Sequence, residues 1–162
     1  MLFRPFALLT IALTASHAVE ATSTFDIICD DTFRQRTHLG RIGDFARELR
    51  GYTITWYMEA IHEIAKKLHD ASPVEKRDDT EVIGCYIEHN QRVQRALSPL
   101  LKEAYLVYET KPQVKAAIES WKLGEIELYQ QIGRLLPPNY ARAIESMGLD
   151  LERDFNTTIS KY

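Results

Sequence analysis

The stretch from Thr80 to Glu109, TEVIGCYIEHNQRVQRALSPLLKEAYLVYE, decides the fold. Val82, Tyr86, Val93, Leu97, Leu100, Leu101, Ala104 and Tyr108 recur at helical spacing and form one apolar stripe. Thr80 suits a helix N-cap, and Glu81 adds a negative charge to the first turn. A continuous helix of this length would run about 45 Å. Pro99 interrupts the expectation, because it lacks a backbone donor and crowds the preceding turn. Either the helix kinks there, or Ser98 caps a second helix with Pro99 at its first position. One polar residue, Asn90, stands in line with Tyr86, Val93 and Leu97.

Helical patterns continue on both sides. Ser23 or Thr24 can cap a first helix reaching Leu39, with Phe25, Ile28, Cys29 and Phe33 as its apolar stripe and an end or bend near Gly40 and Gly43. Asp44 to His69 gives a second helical region. Its later face is Ile54, Tyr57, Met58, Ile61, Ile64, Ala65 and Leu68, and Gly51 marks a possible hinge. The run Tyr52–Tyr57 has strand-like composition, but no partner strand exists and helical periodicity resumes beyond it. Asp70 to Asp79 is the clearest loop, with Pro73 and a charge cluster.

After Thr110-Lys111-Pro112, the residues Val114, Ala117, Ile118, Trp121, Leu128, Ile132, Leu135 and Leu136 define another helix, stopped by Pro137-Pro138. Asn139 is expected to cap a short helix with Gly148 as its stop, followed by an amphipathic turn or two ending near Tyr162. The fold class is therefore all-α: a single bundle of four to five main helices.

Residues 1–18 have the form of a signal peptide. Arg4 precedes the apolar run Pro5–Thr14, and small residues allow cleavage after Ala18 or Ala21. That run is shorter than the roughly 20 residues a membrane span requires, so residues 19–162 are expected to be one secreted domain. About 144 residues can bury about two-thirds of their unfolded surface. The charge balance is mildly acidic, with 20 Lys and Arg against 23 Asp and Glu. Nucleic-acid binding, which needs a concentrated basic surface, is disfavoured. Cys29 and Cys85 are the only cysteines. In an oxidising compartment they are expected to pair, and closing a loop of about 57 residues would contribute roughly 4 kcal/mol.

No catalytic constellation survives scrutiny. Glu59-x-x-His62 has the spacing of a di-iron ligand pair, but no second copy exists and both residues fall opposite the apolar face, where Glu63 could reach Lys67. His62-Glu63 begins a zincin-like pattern that ends at Lys66, which cannot ligate zinc. His89 lies one turn from Cys85, but a disulfide removes the thiolate that a metal or a nucleophilic reaction would need. No cofactor or metal site is expected.

Two polar residues on apolar stripes remain. Asn90 can set helix register, and Glu125, in line with Trp121, Leu128 and Ile132, is expected to be ion-paired with an Arg or Lys. Alternatively both line a cavity that holds a ligand's polar head. Leu106 and Ile126 fall opposite the main stripes of their helices. Asn156-Thr157-Thr158 is an N-glycosylation sequon, and Lys76-Arg77 is a dibasic pair in the predicted loop.

The residues thus imply a secreted, non-enzymatic helical-bundle interaction protein with a protein partner or receptor. The alternative is an extracellular carrier for a lipid or another small hydrophobic ligand in an interhelical cavity.

Overall fold

The computed structural model describes residues 22–45, 52–76, 78–103 and 111–162. The expected signal segment, Gly51, Arg77 and the stretch bearing Tyr105, Leu106 and Tyr108 lie outside the described residues.

Every regular element is helical among the described residues. The first helix is segmented: α1 (Thr24–Asp26), a π-helical turn (Ile27–Asp31), α2 (Thr32–Arg34) and α3 (Arg36–Phe45). Ser23 and Asp26 form a reciprocal capping box at its start. The wider π turn lets three consecutive residues, Ile27, Ile28 and Cys29, face the interior together. Cys29 is bonded there to Cys85, with 5.3 Å between their Cα atoms. The expected disulfide is present.

Four long helices follow: α4 (Tyr52–His69), α5 (Asp79–Glu103), α6 (Lys111–Leu135) and α7 (Pro138–Ile159). Buried positions recur at steps of three and four along each. On α4 they include Ile54, Tyr57, Ile61, Ile64 and Leu68, and on α7 they are Ile144, Gly148, Leu151, Phe155 and Thr158. On α5 they include Val82, Tyr86, His89, Val93, Ala96 and Leu100, with Asn90 and Leu97 widening the buried face. On α6 they include Val114, Ile118, Trp121, Glu125, Leu128, Ile132 and Leu135, with Tyr129 beside them. This is the seam of a helical bundle, where knobs of one helix enter holes of the next.

The packing closes into a ring. α3 rests on α4 and α5, α4 on α6, α6 on α7, and α7 returns to α5. The apolar seams turn inward, so the five helices surround one interior. Loops are pinned to the bundle: Arg134 of α6 donates to the carbonyls of Leu68 and His69 at 2.8 Å each, satisfying the end of α4. Val74 N–H donates to Leu135 O at 2.9 Å.

Several local expectations change. α3 runs through Gly40 rather than ending there. α5 begins at Asp79, so Thr80 lies inside the helix rather than capping it. α5 also continues through Pro99 without splitting. Pro137 and Pro138 start α7 rather than only stopping α6, with Pro137 in the N-cap place instead of Asn139. Lys67 reaches Asp31 at 2.7 Å instead of Glu63. Ile126 is half-buried and packs on the core.

Gly148 is not a helix stop. α7 passes through it, and the ring of Tyr129 on α6 packs where a side chain would stand: an added Cβ would meet ring atoms at 2.6 Å. Gly148→Ala is therefore expected to destabilise by about 1–3 kcal/mol from overpacking, outweighing the gain of about 1 kcal/mol in helix propensity. Gly84 in α5 has nothing within 4 Å of an added Cβ, so Gly84→Ala should stabilise by roughly 0.5–1 kcal/mol. Paired urea titrations check both signs.

Candidate functional site

The interior carries a charged residue at its centre. Glu125 is 2% exposed and occupies a seam position on α6. Its carboxylate accepts three hydrogen bonds. The Tyr57 hydroxyl donates to Oε1 at 2.6 Å, and the Trp121 indole N–H donates to the same oxygen at 2.9 Å. His89 Nε2 lies 2.9 Å from Oε2. Tyr57 comes from α4, His89 from α5 and Trp121 from one turn earlier on α6. Because α5 and α6 are not neighbours in the ring, the His89–Glu125 contact spans the interior.

Aromatic rings hold this cluster in place. Tyr57 meets Trp121 edge-to-face at 5.4 Å, and Trp121 meets Phe155 of α7 edge-to-face at 5.1 Å. All three rings are fully buried. Burial alone would raise the carboxyl's pKa. The adjacent His89 and the hydrogen bonds from His89, Tyr57 and Trp121 outweigh it and hold Glu125 below its ordinary value. Burial, then the Glu125 charge, pushes the Tyr57 hydroxyl well above its ordinary pKa. The same two causes, with a smaller contribution from Tyr129, raise Tyr86. Both tyrosines therefore stay neutral and able to donate.

Three buried polar atoms near this cluster lack a hydrogen-bond partner: Tyr86 Oη, His89 Nδ1 and Asn90 Oδ1. All sit on one face of α5. A crevice of about 30 Å³ beside the disulfide, walled in part by Thr32, Glu88 and Arg92, reaches His89. That volume suffices for about one water. Asn90 is buried, and its Nδ2 donates to Met147 O of α7 at 3.5 Å.

Asn90 and Glu125 are thus both interior, on α5 and α6 as the stripes require. In place of the ion pair expected between Glu125 and an Arg or Lys, the carboxylate meets His89 Nε2 at 2.9 Å. His89, Tyr57 and Trp121 are the members that pattern reading did not assign to a site. The signal was present. The seam of α5 steps 82, 86, 89, 93, 96, 100, and His89 is the polar residue that completes it.

The remaining sequence features lie elsewhere. Glu59 and His62 are exposed, and His62 Nδ1 is 3.0 Å from Glu127. No cluster of three His, Cys, Asp or Glu side chains that could hold a metal occurs among the described residues. Asn156 is exposed on α7, and its Oδ1 accepts from Lys122 Nζ at 3.2 Å. An open groove of about 670 Å³ runs between the N-terminal turn and the loop before α5. Its walls include Asp26, Lys67, Asp70 and Glu75, a lining unsuited to an apolar ligand. No described helix is long and apolar enough to cross a membrane.

No family model matches the sequence, and no curated protein matches it. Solved structures do. Ligand binding domain 1 of the Penicillium marneffei MP1 protein, complexed with arachidonic acids, aligns with a TM-score of 0.75 at 11% identity over 87% of this chain and 97% of that one. AfMP4p in complex with palmitic acid aligns with a TM-score of 0.78 at 13% identity, over 85% of this chain and 98% of that one. Ligand binding domain 2 of the MP1 protein, complexed with multiple arachidonic acids, gives 0.73 at 10%, over 85% and 93%. This chain is therefore similar in fold, over nearly the whole length of each, to helical ligand-binding domains.

Proposed function

We propose that this chain is a non-enzymatic carrier that takes a single-chain lipid into the interior of its helix ring. The observation that carries this reading is the likeness in fold to domains solved with arachidonic and palmitic acids. The apolar seams of the long helices would line the chain of such a ligand, and the buried polar cluster lies among them. That likeness favours the carrier over the receptor- or partner-binding reading.

An extracellular setting fits both the N-terminal h-region and the Cys29–Cys85 bond. Asn156, exposed beside the end of α7, is the proposed glycan acceptor.

Trp121 offers a direct test. It is fully buried in the cluster, whereas Trp56 is 60% exposed. In a delipidated Trp56→Phe variant, titration with a twelve-carbon single-chain lipid is expected to change Trp121 emission saturably, with about one lipid per chain at the end point. Unchanged emission together with no retained lipid would remove the carrier reading.

A further inference from the structure

We propose that the outer face where α3 meets α5 docks on an anionic phospholipid bilayer, with Arg36, Arg92 and Arg95 against lipid phosphates and Phe33 at the apolar boundary. This surface goes beyond the carrier reading, since it works whether or not a lipid enters the interior.

α3 and α5 pack together and leave an open groove of about 440 Å³ between them. Three arginines line it, Arg36 from α3 and Arg92 and Arg95 from α5. Its floor is apolar, because Leu39 and Ala96 are buried there. Gly40 also lines it, and nothing lies within 4 Å of where its side chain would stand. Arg92 is ion-paired with Glu88, one turn earlier on α5. Arg36 and Arg95 are exposed and have no carboxylate partner among the described residues. Three arginines against one glutamate leave two positive charges at this groove, on a chain whose formal net charge is -3. Cations gathered in one groove repel each other, and an anion set between them relieves that repulsion. Phosphate suits them, since a guanidinium can give it two parallel hydrogen bonds.

Phe33 selects the source of the phosphate. Its ring is 46% exposed. The Arg36 guanidinium stacks over it at 3.8 Å, and that of Arg92 lies 5.6 Å from the ring centre. The cations thus frame an apolar ring beside the groove. A free phosphate or an acidic polysaccharide would engage the arginines and leave the ring in water. A bilayer surface offers phosphates to the arginines and an apolar layer beneath them to the ring.

The test sediments the full disulfide-bonded chain with vesicles of phosphatidylcholine, or of an equimolar mixture with phosphatidylglycerol. Binding to the mixed vesicles is expected to be at least about tenfold tighter and to weaken with added salt. Arg36→Gln/Arg95→Gln should weaken it by about tenfold or more. Arg142→Gln/Arg153→Gln removes the same charge from exposed positions on α7 and should change binding by less than about twofold. Phe33→Ser should weaken binding by at least about threefold. Each variant is checked for native helicity, and Arg95→Gln alone serves if the double substitution does not fold. Equal binding to both vesicle types, or equal losses in the two arginine pairs, would overturn the placement at this groove. Arginine-dependent binding that Phe33→Ser leaves unchanged, or that inorganic phosphate abolishes at constant ionic strength, would overturn the bilayer as its occupant. Retention on a sulfated polysaccharide without vesicle binding would overturn it too.

Discussion

Replacing Glu125 by alanine is expected to lower stability by about 3–5 kcal/mol, a large share of the 5–15 kcal/mol typical of a folded domain. The substitution removes an acceptor shared by Tyr57, His89 and Trp121, and strands three donors in a buried space. Glu125→Gln is expected to cost less, because its carbonyl can still accept from Tyr57 and Trp121. The glutamine variant also isolates a pH effect. Glu125 titrates below its ordinary value of 4.5 in the fold. Its charge therefore contributes stability above about pH 4.5, and that contribution is lost as the pH falls through the depressed folded value. Urea unfolding at a series of acidic pH values should show a shallower loss for Glu125→Gln than for the parent chain. A Glu125→Ala loss under about 1 kcal/mol, or parallel acid profiles for parent and Glu125→Gln, would contradict this account of the cluster.

Loss of the Cys29–Cys85 bond is expected to have the second-largest effect, about 2–5 kcal/mol. The bond fixes the π turn of the first helix to α5, and the two half-cystines are separated by 56 positions in sequence. In the chain-entropy account a loop of that length contributes roughly 4 kcal/mol by restricting the unfolded chain. Reduction, or a Cys29→Ala/Cys85→Ala double substitution, should lower Tm by on the order of 10 °C. The damage should be local at first. Hydrogen exchange is expected to rise in α1, the π turn and α2 before it rises in α6 and α7, which pack on each other independently of the bridge. A Tm within about 2 °C of the oxidised protein would show that the bundle holds its first helix without the bridge.

The parts of this fold that were legible in the sequence are those fixed by period and covalent chemistry. The stripe Ile54 to Leu68 on α4, the stripe Val114 to Leu136 and the single cysteine pairing all appear as the pattern requires. The parts that were not legible depend on what an element meets in space. Gly148 reads as a helix stop because glycine favours helix ends, but its missing side chain serves the Tyr129 ring. Pro137-Pro138 reads as a terminator, yet proline at the first helical position also starts a helix, and only tertiary packing selects between the two. The candidate site was half legible. Glu125 and Asn90 stand out as polar residues on apolar stripes. Glu125's partner did not, because histidine is read as readily on a surface as in a seam. Tyr57 and Trp121 passed as ordinary core aromatics until their donors were seen to converge on one carboxylate.

The most direct test of the carrier account is native mass spectrometry of the chain, purified without detergent from cells that express it. The expected spectrum contains a species heavier than the disulfide-bonded chain by the mass of one single-chain lipid, which denaturation or organic extraction releases. A spectrum containing only the bare chain, unchanged after incubation with dodecanol or dodecanoate, would contradict the account.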